Sequence, residues 1–181
     1  MKPLFPDRIV SRRLVLRRPQ AADAAVIFAR YAADIDVARC MIWPPHVAVS
    51  ETEAFIADCI RAWEGDARRP YVLAFHETGL EPIGMLEARL PGTTLVGIGH
   101  ALARAHWGQA LMPEAVTALA DVLLATPSIF RVQATCDIDN NASARTLENS
   151  GFVREAVLQR CTVHPNISLE PRACFMYARW R

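Results

Sequence analysis

"ARAHWGQALMPEA", Ala103 to Ala115, is the stretch on which the fold turns. The apolar "LVGIGHAL" (95–102) before it reads as a strand, and "AVTALADVLL" (115–124) after it has the spacing of a helix. The start of a helix exposes backbone N–H groups with no internal partner, and its dipole favours negative charge. Gly108 and Ala110 leave that start nearly bare, and Pro113 in the first turn sacrifices no hydrogen bond there. Such a start is either a tight turn that needs glycine for its geometry or a cradle for an anion the size of a phosphate. The pattern G-x-x-x-x-G-K-[ST] occurs nowhere, and Gly108 lies outside any G-x-G-x-x-G frame. Neither a nucleoside-triphosphate loop nor a dinucleotide fingerprint is present.

Working outward, "RRLVLRR" (12–18) predicts a first strand, and "PQAADAAVIFARYAAD" (19–34) a helix. In that helix Ala25, Phe28 and Ala32 share a face that Val26, Ile27 and Tyr31 widen. Two prolines make "MIWPPHV" (41–47) a loop. Ser50 and Glu53 have the spacing of a capping box, opening a helix that buries Phe55, Ile56, Cys59, Ile60 and Trp63. "YVLAFHE" (71–77) and "IGMLEARL" (83–90) are strands joined by the turn "TGLEP" (78–82), and "TTLVGIGHALA" (93–103) is a longer one. "IFRVQATCD" (129–137) alternates, with Val132, Ala134 and Cys136 on one face. "NASARTLENSG" (141–151) is a short helix that stops at Gly151. "FVREAVLQRCTVH" (152–164) and "RACFMYARW" (172–180) are two closing strands. This order predicts a single α+β domain over residues 1–181, its core running from about residue 11 to 180. Its centre is a mixed, mostly antiparallel sheet flanked by helices.

Composition narrows the function classes. A net charge of +1 over 181 residues gives no general attraction to nucleic acid. Arg8, Arg12, Arg13, Arg17 and Arg18 crowd the N-terminal end, as a solvated strand edge or as a contact for phosphate or an acidic partner. Cys40, Cys59, Cys136, Cys161 and Cys174 are odd in number and never in C-x-x-C spacing, so neither a metal site nor a disulfide framework is expected. The segment "MKPLFPDRIVSRR" (1–13) lacks the apolar core of a signal peptide, and no stretch approaches the ~20 apolar residues of a membrane span. A soluble, reduced, cytoplasmic chain without membrane or nucleic-acid partners is expected.

Two motifs carry a resemblance that covers nearly the whole chain. "GIGHALARAHWGQALMPEA" (97–115) is similar to the pattern iGywl…wGxGxxxEA, and "DNNASARTLENSGFVREAVL" (139–158) to N-x-x-S-x-x-x-L-E-x-x-G-F-x-x-E. In order and at this spacing, they resemble the GNAT superfamily of acetyl-CoA-dependent N-acetyltransferases. Within it the chain looks most like the branch that acetylates the N-termini of ribosomal proteins. The resemblance implies that the amides around Trp107, Gly108, Gln109 and Ala110 hold the pyrophosphate of coenzyme A. It implies that backbone at Leu102, Ala103 and Arg104 pairs with the pantetheine arm, and that Asn140 contacts that arm. An N–H near Leu102 would hold the oxyanion. Dimers are common in the family, and an exposed last strand would allow a homodimer here.

The catalytic groups depart from the wider pattern. Many members carry a tyrosine acid where this chain has Leu147. The ribosomal-protein branch instead has a serine like Ser143, which protonates the thiolate or caps the helix. Glu87 is the first candidate for the base, acting through a water; its plain alternative is a strand carboxylate facing Arg89. His100, at a position that is usually tyrosine, and His106 are rival bases. Gly97 stands where the branch often has glutamate, and Ala105 at the first position of [QR]-x-x-G-x-[GA]. Trp43, Pro44 and Pro45 would wall the acceptor side, with Glu51, Glu53 and Asp58 nearby. The leading expectation is transfer of an acetyl group to a primary amine, most simply a peptide or protein N-terminus, by direct attack in a ternary complex. The alternatives are a small-molecule amine acceptor (a polyamine, an aminoglycoside or an amino acid analogue) and a non-catalytic acyl-CoA-binding module.

Overall fold

Leucine, valine and isoleucine at alternating positions make strands, and here they build one sheet with helices on both faces. The computed structural model describes residues 5–65, 67–77 and 79–181. The chain runs β1 (Arg8–Val10), β2 (Leu14–Arg17), α1 (Asp23–Ile27), α2 (Ile35–Ala38), α3 (Val49–Arg61), β3 (Arg68–Phe75), β4 (Gly84–Arg89) and β5 (Leu95–Leu102). It continues through α4 (Leu111–Leu124), β6 (Arg131–Asp137), α5 (Asn141–Asn149), β7 (Val153–His164) and β8 (Ser168–Trp180). The eight strands lie in the order β1-β2-β3-β4-β5-β6-β8-β7, and only β5 and β6 pair in parallel. Met1–Leu4 and Thr78, the first residue of the turn expected at 78–82, lie outside the described residues.

The two faces of the sheet bury separate clusters. Leu73, Leu86, Ile98, Val132 and Tyr177 pack with Leu111, Val116, Leu119 and Leu123 of α4 and Leu147 of α5. Val72, Met85, Ala101 and Ala103 face the other way, against Ala24, Ile27, Tyr31, Ile56 and Cys59. Each fully buried leucine contributes on the order of 2 kcal/mol relative to exposure, so these two faces hold the sheet in its register. All five cysteines are free thiols. No described helix is long and apolar enough to cross a membrane. Among the described residues no group of three His, Cys, Asp or Glu side chains could hold a metal ion.

Several sequence expectations are corrected. The strand β1 is additional; it pairs with β2, so Leu14, Val15, Leu16 and Arg17 are all buried. The helix expected over 19–34 is broken: α1 passes into a π-helical turn at Phe28–Ala32. The inward row is Ala24, Ile27 and Tyr31, with Ala32 joining them, in place of Ala25, Phe28 and Ala32. The capping box at Ser50 and Glu53 does not form. α3 begins two residues earlier, with Ala48 in place of Ser50 at the N-cap, and Glu51 accepts the Val47 N–H at 2.9 Å. Buried Thr52 bonds His46 Nδ1 at 2.7 Å, which turns Thr52, Ile56 and Cys59 inward and leaves Phe55 and Ile60 partly exposed. The final strand is not an edge: β8 lies between β6 and β7, and β7 is the edge.

Of the N-terminal arginines, Arg8 and Arg12 are exposed, as on a solvated edge, and the other three are engaged. Arg17 is buried and paired with Asp23 at 2.6 and 2.8 Å, Arg18 lies over Trp63 and pairs with Asp7, and Arg13 binds Glu114. Gly84 marks the tightest backbone approach: a Cβ there would stand 2.5 Å from the Ala101 carbonyl oxygen of β5. Gly84→Ala should therefore lower the melting temperature by roughly 5 °C, through about 1–3 kcal/mol of overpacking. Calorimetry on the purified variant checks this, and an unchanged midpoint would show that β4 and β5 separate without cost.

Candidate active site

Strands β5 and β6 meet over only three residue pairs: Leu95 with Arg131, Val96 with Val132 and Gly97 with Gln133. Beyond Gly97 they part. Strand β5 stays in unbroken register with β4 as far as Leu102, and β6 with β8 as far as Asp137. The facing edges of 98–102 and 134–137 therefore have no strand partner across the gap. Ala103 donates its N–H to Ile83 at 2.8 Å, which sets the alternation along β5. By that alternation the N–H groups of Ile98, His100 and Leu102 point into the gap. The Leu102 carbonyl does so too and accepts the Trp107 indole N–H at 2.8 Å.

At the mouth of this gap the chain turns into α4. Arg104–His106 form a 3-10 turn, and the Arg104 carbonyl accepts the Trp107 N–H at 3.1 Å. Gly108 has φ +73° and Ala110 φ +55°, and no side chain caps the first turn of α4. A Cβ at Gly108 would meet nothing within 4 Å. The backbone groups of Ala103 are both taken, its N–H by Ile83 and its carbonyl by His106. The Arg104 guanidinium pairs with Asp36 of α2. Of the three strand residues expected along the pantetheine arm, Leu102 has its N–H toward the gap, and Ala103 has its own turned to Ile83.

The far side of the gap belongs to α5. Asn140 caps this helix, its side-chain oxygen accepting the Ser143 N–H at 3.1 Å. Ser143 is thus inside the helix, with its side chain close enough to the Cys136 thiol to influence it. Burial pushes that thiol up to about 11, with Ser143 opposing the shift. Leu147 is fully buried, and Tyr177 donates to Glu148 at 2.7 Å. Glu87 lies across the sheet, on the face that carries α1 and α3, beside Gly99. It accepts from Arg89 and lies 3.3 Å from Arg68. Ser143 and Glu87 flank the gap from opposite faces.

A family model described as an acetyltransferase (GNAT) domain matches residues 13–153. The chain belongs to the GNAT acetyltransferase family. It is 28% identical over 156 residues to an uncharacterized N-acetyltransferase, p20, of Bacillus licheniformis, covering 84% of this chain and 86% of that one. Its fold is similar to that of RimJ of Mycobacterium smegmatis, solved with CoA-disulfide, with a TM-score of 0.85 at 20% identity over 99% of this chain and 90% of that one. It is also similar to RimL, a ribosomal L7/L12 α-N-protein acetyltransferase solved with coenzyme A, with a TM-score of 0.83 at 21% identity over 96% and 97%.

Other residues of this GNAT domain gather around the gap. His106 packs edge-on against Phe75, and burial with the nearby Arg30 charge lowers its imidazole. Trp43 is half-buried with its ring 5.6 Å from that of His46. Asn166, in the β7–β8 turn, donates to the carbonyls of Ala38 and Trp43 at 2.7 and 2.9 Å and so pins the wall segment. Sequence reasoning missed Asn166, and it also missed the link from Arg13 to α4. Cys136 was placed on a strand face but not at the gap. Nothing local marks such residues, because their partners lie more than 90 positions away.

Two outcomes follow. Ala110 occupies a left-handed conformation that costs alanine about 1 kcal/mol or more and glycine little, so Ala110→Gly should raise the melting temperature by roughly 2–4 °C. A melt no higher than wild type would show that the conformation is unstrained. Burial pushes His100 down to about 4 from an ordinary 6.5, so the folded chain keeps it neutral where the unfolded chain takes up a proton. Stability should then fall as pH drops from 6.5 toward 4. His100→Gln should remove part of that acid slope in urea titrations at neutral and acidic pH, and equal slopes would assign it to other groups.

Proposed function

We propose that this enzyme transfers the acetyl group of acetyl-CoA to the free α-amino group of a peptide or protein, by direct attack in a ternary complex. The chain's own groups fit coenzyme A. Backbone at Trp107, Gly108, Gln109 and Ala110 leads into an uncapped helix start that suits a pyrophosphate. The unpartnered edge of β5 offers N–H groups to an extended arm, and burying such groups unsatisfied is costly.

Acetyl transfer needs a neutral amine, two aligned reactants, a stabilised oxyanion and a protonated thiolate. Alignment can supply ~7–11 kcal/mol, and a positioned acid or base roughly 10²–10⁴-fold. The Leu102 N–H would donate to the oxyanion, and Ser143 would return a proton to the departing sulfur. Glu87, on the opposite face, would draw the amine proton through a water. The acid and the base would then approach the thioester from opposite sides of the sheet.

The acceptor class rests on one observation. Most carboxylates on the acceptor side are engaged: Glu87 by Arg89 and Arg68, Asp58 by Arg68, Asp36 by Arg104, and Glu51 by the Val47 N–H, which leaves Glu53, exposed on α3. A polyamine or aminoglycoside would need several free carboxylates. The wall instead exposes Ile42, Val47 and Leu169, which suits a peptide with apolar side chains. The similarity to RimL and RimJ supports the same acceptor class.

Thiol release from acetyl-CoA should therefore occur with peptides bearing free N-termini. It should vanish when those termini are blocked, and spermidine should give little. Release with spermidine alone would overturn the peptide reading. Ser143→Ala should lower kcat by roughly tenfold or more with little change in KM for acetyl-CoA, as loss of a positioned acid does. Glu87→Gln should lower kcat similarly, most at low pH where amine deprotonation limits. Full activity in either variant would remove that residue from the chemistry.

A further inference from the structure

Of the N-terminal arginines, Arg13 reaches the anion loop. Its backbone N–H and its Nε donate to the two oxygens of Glu114, each at 2.7 Å, and Ser11 Oγ adds a third donor to that carboxylate at 2.7 Å. Burial alone would raise the Glu114 carboxyl, yet the bonds from Ser11 and Arg13 hold it below its ordinary range. The guanidinium is thereby anchored to the first turn of α4. From there Nη1 reaches the Gln109 carbonyl at 3.0 Å and Nη2 the Ala110 carbonyl at 3.2 Å.

In a planar trans peptide the carbonyl and the following N–H point in opposite directions. Holding the carbonyls of Gln109 and Ala110 on the Arg13 side therefore turns the N–H groups of Ala110 and Leu111 to the opposite side. The same two bonds clasp Ala110 at φ +55°, a conformation that alanine leaves unless its surroundings impose it. A flat fork with several donors can bridge two carbonyls and a carboxylate at once, whereas an ammonium cannot reproduce that geometry.

We propose that Arg13 is a positioning residue for coenzyme A: it acts through the backbone of Gln109 and Ala110, preorganising the amides that receive the pyrophosphate. This rests on the acetyl-CoA reading above. It assigns the arginine at the start of β2 to the site, although 96 positions separate it from Gln109.

Titration calorimetry with coenzyme A, and separately with acetyl-pantetheine, which lacks the pyrophosphate, tests this on the full chain. Arg13→Gln should weaken coenzyme A about tenfold, as loss of charge-assisted hydrogen bonds does, and leave acetyl-pantetheine unchanged. Arg13→Lys keeps an ion pair with Glu114 and a folded chain by thermal melt, yet should also weaken coenzyme A. Arg13→Gln with Ala110→Gly should recover about threefold or more, since glycine holds the left-handed conformation unaided. Coenzyme A affinity within about twofold of wild type in both Arg13 variants would overturn the proposal. So would an equal loss for acetyl-pantetheine, or an undiminished deficit in the double variant. Failure of the wild-type chain to bind coenzyme A would instead sink the acetyl-CoA reading, and this proposal with it.

Discussion

Two strands that stop pairing determine the rest of this molecule. β5 and β6 share three residue pairs and then separate, each held by its other neighbour, β4 on one side and β8 on the other. A backbone edge inside a protein must find hydrogen-bond partners. The gap therefore requires either solvent or an extended ligand along β5, and it places Ser143 on one face and Glu87 on the other. The helices hold the sheet from its two faces, α4 and α5 on one and α1 and α3 on the other.

At the end of the gap the electrostatics come from backbone more than from side chains. α4 begins without a side-chain cap, directly after a left-handed alanine. Alanine in that conformation carries strain that a neighbour must offset. Arg13 and Glu114 are that neighbour, so an ion pair between β2 and α4 bears on a loop that neither residue belongs to. On the side proposed for the acceptor, Arg68, Arg89 and Arg104 pair with Asp58, Glu87 and Asp36, beside a wall segment held by Asn166.

Much of this was legible in the chain, but unevenly. The alternation of Val132, Ala134 and Cys136 gave β6 and its inward face, and Gly151 marked the end of α5 with φ +80°. The bare start of α4 was readable from Gly108, Ala110 and Pro113. The π-helical turn at Phe28–Ala32 was not, because the 3.6-residue period assumes a regular helix throughout. The capping box failed similarly: Ser50 and Glu53 have the right spacing, but the bond from His46 to Thr52 sets where α3 starts and which face turns in.

What the sequence by itself determined is the family, most of the sheet-and-helix order and the location of the uncapped start of α4, because periodicity, glycine positions and local caps are short-range signals. Only the tertiary structure decided that β5 and β6 separate, that Ala103 spends its backbone on Ile83 and His106, that Glu87 is flanked by two arginines and that Arg13 grips Gln109 and Ala110. Apart from Ala103 with His106 and Glu87 with Arg89, which are near in the chain, these join groups brought close by the closure of the sheet. A residue's neighbours along the chain carry no record of a partner that only folding brings within 3 Å or so of it.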